Sequence, residues 1–200
     1  MWAQSAPTPS YPHKVELCEL ETERLRLRAV EPGDLDAFAG YMADPDVVRF
    51  IGGRTLAREE TVERVEVWRA RFERDGFGQF ALERRDDAVV VGRCGLLVWQ
   101  LPEWSSTTLT EATDPYELEL GWMLGREHWG RGYATEAGLA VRDFALGTLG
   151  LRRLISVIAV ENRRSAAVAQ RLGMAVESST RMYDLDVEIW SLAEPDRSCE

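Results

Sequence analysis

The sequence predicts a mixed α/β fold built on one sheet. Three observations carry that reading. Residues 24–30 alternate polar and apolar, the period of a half-buried strand. Two strongly β segments, at 116–124 and 153–160, are separated by a helical stretch long enough for a parallel crossover. Gly130 and Gly132 lie between the first of these strands and that helix. The predicted order is strand, two helices, three strands, helix, strand, helix, two strands.

Each element has its own signal. Pro32 opens the first helix, with Leu35, Phe38, Ala39 and Met42 on one face. Val62, Val65, Trp68 and Phe72 stripe the second, and Gly76 ends it. Strands follow at about 78–84 and 88–99, joined by a turn at Arg85, Asp86 and Asp87. Residues 101–115, with two prolines and many Ser and Thr, read as a long surface loop, long enough for a lid. After the strand at 116–124, a helix is expected over 132–147 with Ala137, Ala140, Val141, Phe144 and Ala145 facing inward. Asn162 begins the last helix, striped by Ser165, Val168, Ala169 and Leu172, and Gly173 ends it. Two strands close the chain at about 175–184 and 186–193.

Residues 1–14 read as a mobile leader, 15–193 as a single domain and 194–200 as a polar tail. No apolar run is long enough to span a membrane, and no secretory signal is evident. Cys18, Cys94 and Cys199 have neither disulfide-framework nor metal-ligand spacing. The expected setting is cytoplasmic, with no metal. A net charge of −10 argues against nucleic-acid binding, which relies on Lys and Arg. It suits a cationic substrate such as an amine, or simply a solvated acidic surface.

The Gly-rich turn is a physical anion site. Unpaired N–H groups of a first helical turn point outward, the helix dipole adds positive charge, and glycines let the backbone approach phosphate. A nucleotide P-loop would need Gly-Lys-Ser/Thr, which is absent. A dinucleotide fingerprint would need a third glycine, and Thr135 stands there.

The wider string, Glu119-Leu120-Gly121-Trp122-Met123-Leu124 followed by Glu127-His128-Trp129-Gly130-Arg131-Gly132-Tyr133-Ala134-Thr135-Glu136-Ala137, resembles the acetyl-CoA motif of the GNAT N-acetyltransferase superfamily. It is most similar to the branch containing the ribosomal-protein-alanine N-acetyltransferases (RimJ/RimL-like). Thr22-Glu23-Arg24-Leu25-Arg26-Leu27-Arg28 resembles that branch's first strand. Asn162-Arg163-Arg164-Ser165 with Arg171-Leu172-Gly173-Met174 resembles its second cofactor motif, and Asp186-Val187-Glu188-Ile189-Trp190-Ser191-Leu192 its terminal strand. The four segments stand in the family's order over about residues 20–193.

The resemblance implies a mostly antiparallel sheet of six to seven strands with about four helices, and splayed parallel strands that form an acetyl-CoA cleft. It implies a bulge in the strand at 116–124 and direct attack of an amine on the thioester. Backbone groups of Met123 and Leu124 would place the thioester. Trp129, Gly130, Arg131, Gly132, Tyr133, Ala134 and Thr135 would form the pyrophosphate loop. Asn162, also a natural helix N-cap, and Ser165 would hold the pantetheine. The family's Tyr general acid is replaced by Ala169.

Alternation puts Glu117 and Glu119 on one strand face and Leu118 and Leu120 on the other. Glu119 is the first candidate base, and Tyr183 a weak candidate acid. Trp104, Tyr116, Tyr183 and Trp190 are candidates for the substrate groove or for packing. Glu136 is expected to support the helix N-terminus. The expected partners are acetyl-CoA and an amine acceptor, with neither nucleic acid nor membrane; an exposed terminal strand would allow a homodimer. The alternative is a non-catalytic acyl-CoA-binding or sensor module.

Overall fold

The computed structural model describes residues 19–182 and 184–193. The expected leader and tail, Cys18, Cys199 and the candidate acid Tyr183 lie outside the described residues.

A nine-stranded sheet organises the chain. The elements are β1 (Leu20–Glu21), β2 (Leu25–Ala29), α1 (Leu35–Ala43), α2 (Pro45–Val48), α3 (Arg58–Asp75), β3 (Gln79–Arg84), β4 (Val90–Gln100), β5 (Ser105–Thr107), β6 (Tyr116–Leu124), α4 (Tyr133–Asp143), β7 (Arg153–Ala159), α5 (Arg163–Arg171), β8 (Ala175–Met182) and β9 (Leu185–Ala193). Strand order is β1-β2-β3-β4-β6-β7-β9-β8, with β5 paired to β4. Only β6 and β7 are parallel, and one register pair, Glu119 with Ile155, joins them. They meet at that point and splay beyond it.

The sequence patterns explain most elements. In α3 the buried stripe is Thr61, Val65, Trp68 and Phe72, so Thr61 replaces the expected Val62. Gly76, at φ 78°, caps it in the left-handed region where a Cβ is costly. The helix expected over 132–147 is α-helical to Asp143 and closes with a wide turn over Phe144–Thr148. Leu118, Leu120, Val141, Leu154 and Leu172 join one apolar cluster. Phe38, Tyr41, Val65, Trp68, Ala81 and Met123 join a second. Burying each such large side chain contributes about 1.5–3 kcal/mol.

Three expectations change. The segment at 101–115 is not a free surface loop. It contributes β5, and α3 ties it down: the Arg71 guanidinium donates to the Ser106 hydroxyl at 2.6 Å, and the Leu109 N–H donates to the Asp75 carboxylate at 2.9 Å. β6 has no bulge against β4, since its register runs unbroken from Tyr116 opposite Gln100 to Leu124 opposite Gly92. The edge strand is β8 and not the last strand, because β9 inserts between β7 and β8. Residues 175–181 are all exposed. No helix among the described residues is long and apolar enough to cross a membrane.

Candidate functional site

The splay between β6 and β7 and the loop after β6 form one continuous feature. Strand alternation fixes which backbone groups face the splay. The Ser156 hydroxyl of β7 donates to the Leu120 carbonyl at 2.6 Å, so even-numbered β6 residues turn their polar backbone groups toward β7. The Gly125 N–H donates to the Val91 carbonyl at 3.0 Å, so odd-numbered residues turn theirs toward β4. Trp122 and Leu124 therefore face the opening with their backbone, and Met123 faces β4. The Trp129 indole N–H already donates to the Leu124 carbonyl at 2.9 Å.

The loop follows a short 3-10 turn at Arg126–His128. Gly130 and Gly132 sit at φ 73° and 84°, left-handed conformations open to glycine. Gly132 is the N-cap of α4, whose first bond runs from the Glu136 N–H to the Gly132 carbonyl at 3.0 Å. The N–H groups of Tyr133, Ala134 and Thr135 are left without an acceptor inside the helix, as an anion cradle requires.

Several side chains hold the loop in place. The Tyr41 hydroxyl of α1 donates to the Val90 carbonyl at 2.5 Å and lies 3.3 Å from His128 Nε2. Its ring fills the space where a Cβ on Gly125 would stand, 2.2 Å from Cε1. Burial lowers the pKa of His128, so it is a neutral packing group beside the loop. The Arg164 guanidinium lies 4.6 Å from the Trp129 ring and links the start of α5 to the loop. Asn162 Oδ1 accepts from the Ser165 N–H at 3.2 Å. Its cap role is therefore met by Oδ1.

Glu119 lies at the single β6–β7 contact. Its carboxylate accepts from the Trp99 indole N–H at 2.6 Å and the Val157 N–H at 3.3 Å. Burial raises its pKa; these two hydrogen bonds and the charge of Arg93 oppose the rise without cancelling it. A carboxylate offers about four acceptor sites, so two bonds leave room for an incoming proton. Glu117, on the same strand face, is held by Arg153 at 3.1 Å, and Arg153 also pairs with Glu177 at 2.7 Å. Glu117 is thus engaged in an ion-pair network, whereas Glu119 makes its two hydrogen bonds to neutral groups. Gly121 lies beside Glu119: a Cβ there would stand in ordinary van der Waals contact with Glu119 Oε1, at 3.8 Å.

Arg93 is buried nearby, with its guanidinium donating to Gln79 and lying 5.0 Å from the Trp68 ring. Burial pulls its pKa down to about 10, so it stays charged at neutral pH. Of the groove candidates, Trp104 has its ring centroid 6.3 Å from that of Trp99, the residue that donates to Glu119. Trp190 is 5% exposed within the core, and Tyr116 packs against that core. Ala169 is fully buried and offers no acid group. Cys94 is buried as well, and desolvation pushes its thiol up to about 12, so it is no nucleophile at neutral pH. No group of three or more His, Cys, Asp or Glu among the described residues could hold a metal ion.

The model of the acetyltransferase (GNAT) domain family matches residues 24–175. The chain belongs to that family. It is 24% identical over 183 residues to the uncharacterized N-acetyltransferase YoaA of Bacillus subtilis (strain 168), covering 88% of this chain and 97% of YoaA. An acetyltransferase structure from Agrobacterium tumefaciens str. C58 superposes with a TM-score of 0.71 at 29% identity, over 92% of this chain and 98% of that one. The ribosomal-protein-S5-alanine acetyltransferase structure from Vibrio fischeri shares the fold, with a TM-score of 0.69 at 17% identity over 90% and 98% of the two chains. This GNAT chain is thus an N-acetyltransferase, an acyltransferase of a family that takes acetyl-CoA as donor. The non-catalytic alternative is not favoured.

Reasoning from sequence missed Trp99, the Tyr41–His128 support and the Arg164–Trp129 contact. Their partners are distant along the chain, and no local pattern announces them. It placed Glu136 correctly in the first turn of α4 but missed its partners. Thr22 donates to it at 2.6 Å, and the Arg24 backbone N–H and Nε donate at 2.9 and 2.7 Å. Burial raises its pKa, and these bonds outweigh burial to hold it below the usual value.

Proposed function

We propose that this protein transfers an acetyl group from acetyl-CoA to a primary amine by direct attack, with Glu119 as the base, in a RimJ/RimL-like role on α-amines or small-molecule amines. The observation that carries the reading is the half-buried Glu119 carboxylate at the one β6–β7 contact, beside an opening that leads to the glycine loop. The fit to acetyl-CoA rests on that loop. The amides of residues 130–135 receive the pyrophosphate, and Asn162 Nδ2 and Ser165 meet the pantetheine. Backbone groups at Trp122 and the Leu124 N–H are better placed than those of Met123 to receive the thioester arm, because they face the opening.

In the reaction Glu119 takes a proton from the amine, directly or through water. The nitrogen attacks the thioester carbonyl, and a β6 backbone N–H donates to the developing oxyanion. Collapse expels the thiolate, and the remaining extra proton on the nitrogen passes to the thiolate or to water, leaving the amide and the free thiol. A thiol with a pKa of about 8.5 leaves with little acid help, which accounts for Ala169 in place of the family's Tyr.

The same logic sets the acceptor class. An α-amine, with a pKa of about 7.7–8.0, is partly neutral near pH 7, whereas a lysine at about 10.4 is almost wholly protonated and demands far more of one carboxylate. Thiol release from acetyl-CoA should therefore be at least about tenfold faster with free N-terminal peptides than with N-blocked, lysine-containing ones, given that difference in pKa. A preference for lysine would overturn the α-amine reading.

A further inference from the structure

The start of β2 reaches across the sheet end to the glycine loop, and no sequence pattern explains the contact. Arg24 Nη1 donates to the Arg131 carbonyl at 2.9 Å. Arg24 Nη2 lies 2.5 Å from the Glu136 carboxylate, and Nε donates to the same oxygen at 2.7 Å. The Tyr133 ring lies under the guanidinium at 4.8 Å. One side chain thus touches three positions of the loop and the first turn of α4, more than 100 residues away in sequence.

Two physical consequences follow. In a planar trans peptide, the carbonyl and the next N–H point opposite ways. Holding the Arg131 carbonyl toward Arg24 therefore turns the Gly132 N–H away from it, free to join the amides of the first helical turn in meeting a ligand. Glu136 also places a negative charge in the turn that must accept a pyrophosphate. A bare carboxylate there would repel the ligand, and the Arg24 guanidinium neutralises it within hydrogen-bond distance.

We infer that Arg24 is a positioning residue for the donor: with Glu136 and Thr22 it sets the loop amides and cancels the local negative charge, so that the loop grips the pyrophosphate. The inference rests on the loop being the pyrophosphate site, as proposed above. It concerns donor binding and leaves the chemistry at Glu119 untouched.

The test compares two donors, acetyl-CoA and S-acetylpantetheine, which carries the thioester arm without the pyrophosphate. In Arg24→Ala, KM for acetyl-CoA should rise about tenfold or more, the scale of one lost charge-assisted contact, with kcat within about twofold on the same scale. With S-acetylpantetheine, kcat/KM should match the wild type. A merely structural role would lower activity with both donors together, and that result overturns the inference, as does an unchanged KM for acetyl-CoA. Arg24→Lys keeps the charge but loses the fork. It should show the same donor-specific effect in weaker form, and it carries the test if the alanine variant fails to fold. The wild type separates the two claims. If it uses both donors equally well, the loop is not the pyrophosphate site. If it prefers acetyl-CoA and Arg24→Ala keeps that preference in full, the positioning role alone is wrong.

Discussion

Glu119→Gln is expected to lower kcat by about 10²–10⁴-fold, the usual contribution of a positioned acid–base group, while leaving KM for acetyl-CoA close to the wild-type value. The carboxylate sits where β6 and β7 meet, with one oxygen on Trp99 and the other on Val157. Glutamine keeps the volume and one acceptor but cannot take a proton from an amine. The pH dependence gives an independent check. Burial raises the Glu119 pKa above the ordinary carboxylate range, and the base works only when ionised. The ratio of wild-type to variant activity should therefore be greatest at neutral and alkaline pH and should fall as pH drops through that raised pKa. The acceptor amine's own titration is common to both proteins and cancels in the ratio. A ratio near one, or one constant with pH, would remove Glu119 as the base.

The largest expected effect on stability is at Asp34. Arg28 and Asp34 are 7% and 5% exposed, and two parallel bonds of 2.8 Å join them. Asp34 also accepts from the Glu31 N–H at 2.8 Å, which shapes the turn leading into α1. Replacing Asp34 by Ala leaves a buried guanidinium with two unmatched donors. Breaking such a pair from one side typically costs about 3–5 kcal/mol. Glu83, 2.8 Å from Arg28 Nε, remains and puts the expected loss at the lower end, about 3 kcal/mol. Urea unfolding of Asp34→Ala measures it. Asp36, whose pair with Arg58 is exposed on both sides, is the control and should show no resolvable change. Equal stabilities for the two variants would contradict the role given to the buried pair.

How legible each feature was in the sequence depends on how local its cause is. Alternation in β6 is a property of neighbouring residues. It separated the glutamates from Leu118 and Leu120, which pack in the core as expected. The glycine turn at 130 and 132 was readable for the same reason, and the structure adds that both residues are left-handed. The ion pair that engages Glu117 and not Glu119 was not legible, because Arg153 is brought alongside only when β7 joins the sheet. Trp99 is set beside Glu119 by the β4–β6 register, 20 residues apart in sequence. The segment at 101–115 had the composition of a loop. Its order comes from Arg71 and Asp75 on α3, which composition cannot convey. That Trp122 and Leu124, and not Met123, turn their backbone groups toward β7 is a distinction that depends on strand pairing alone.

The most direct measurement of the central claim is a crystal structure with acetyl-CoA bound. The pyrophosphate oxygens should lie within about 3.2 Å of backbone amides in residues 130–135, the reach of a hydrogen bond. The thioester carbonyl should lie between β6 and β7, beside the backbone of Trp122 or Leu124, with Glu119 facing the acceptor side. A pyrophosphate bound away from that loop, or a thioester remote from Glu119, would contradict the assignment.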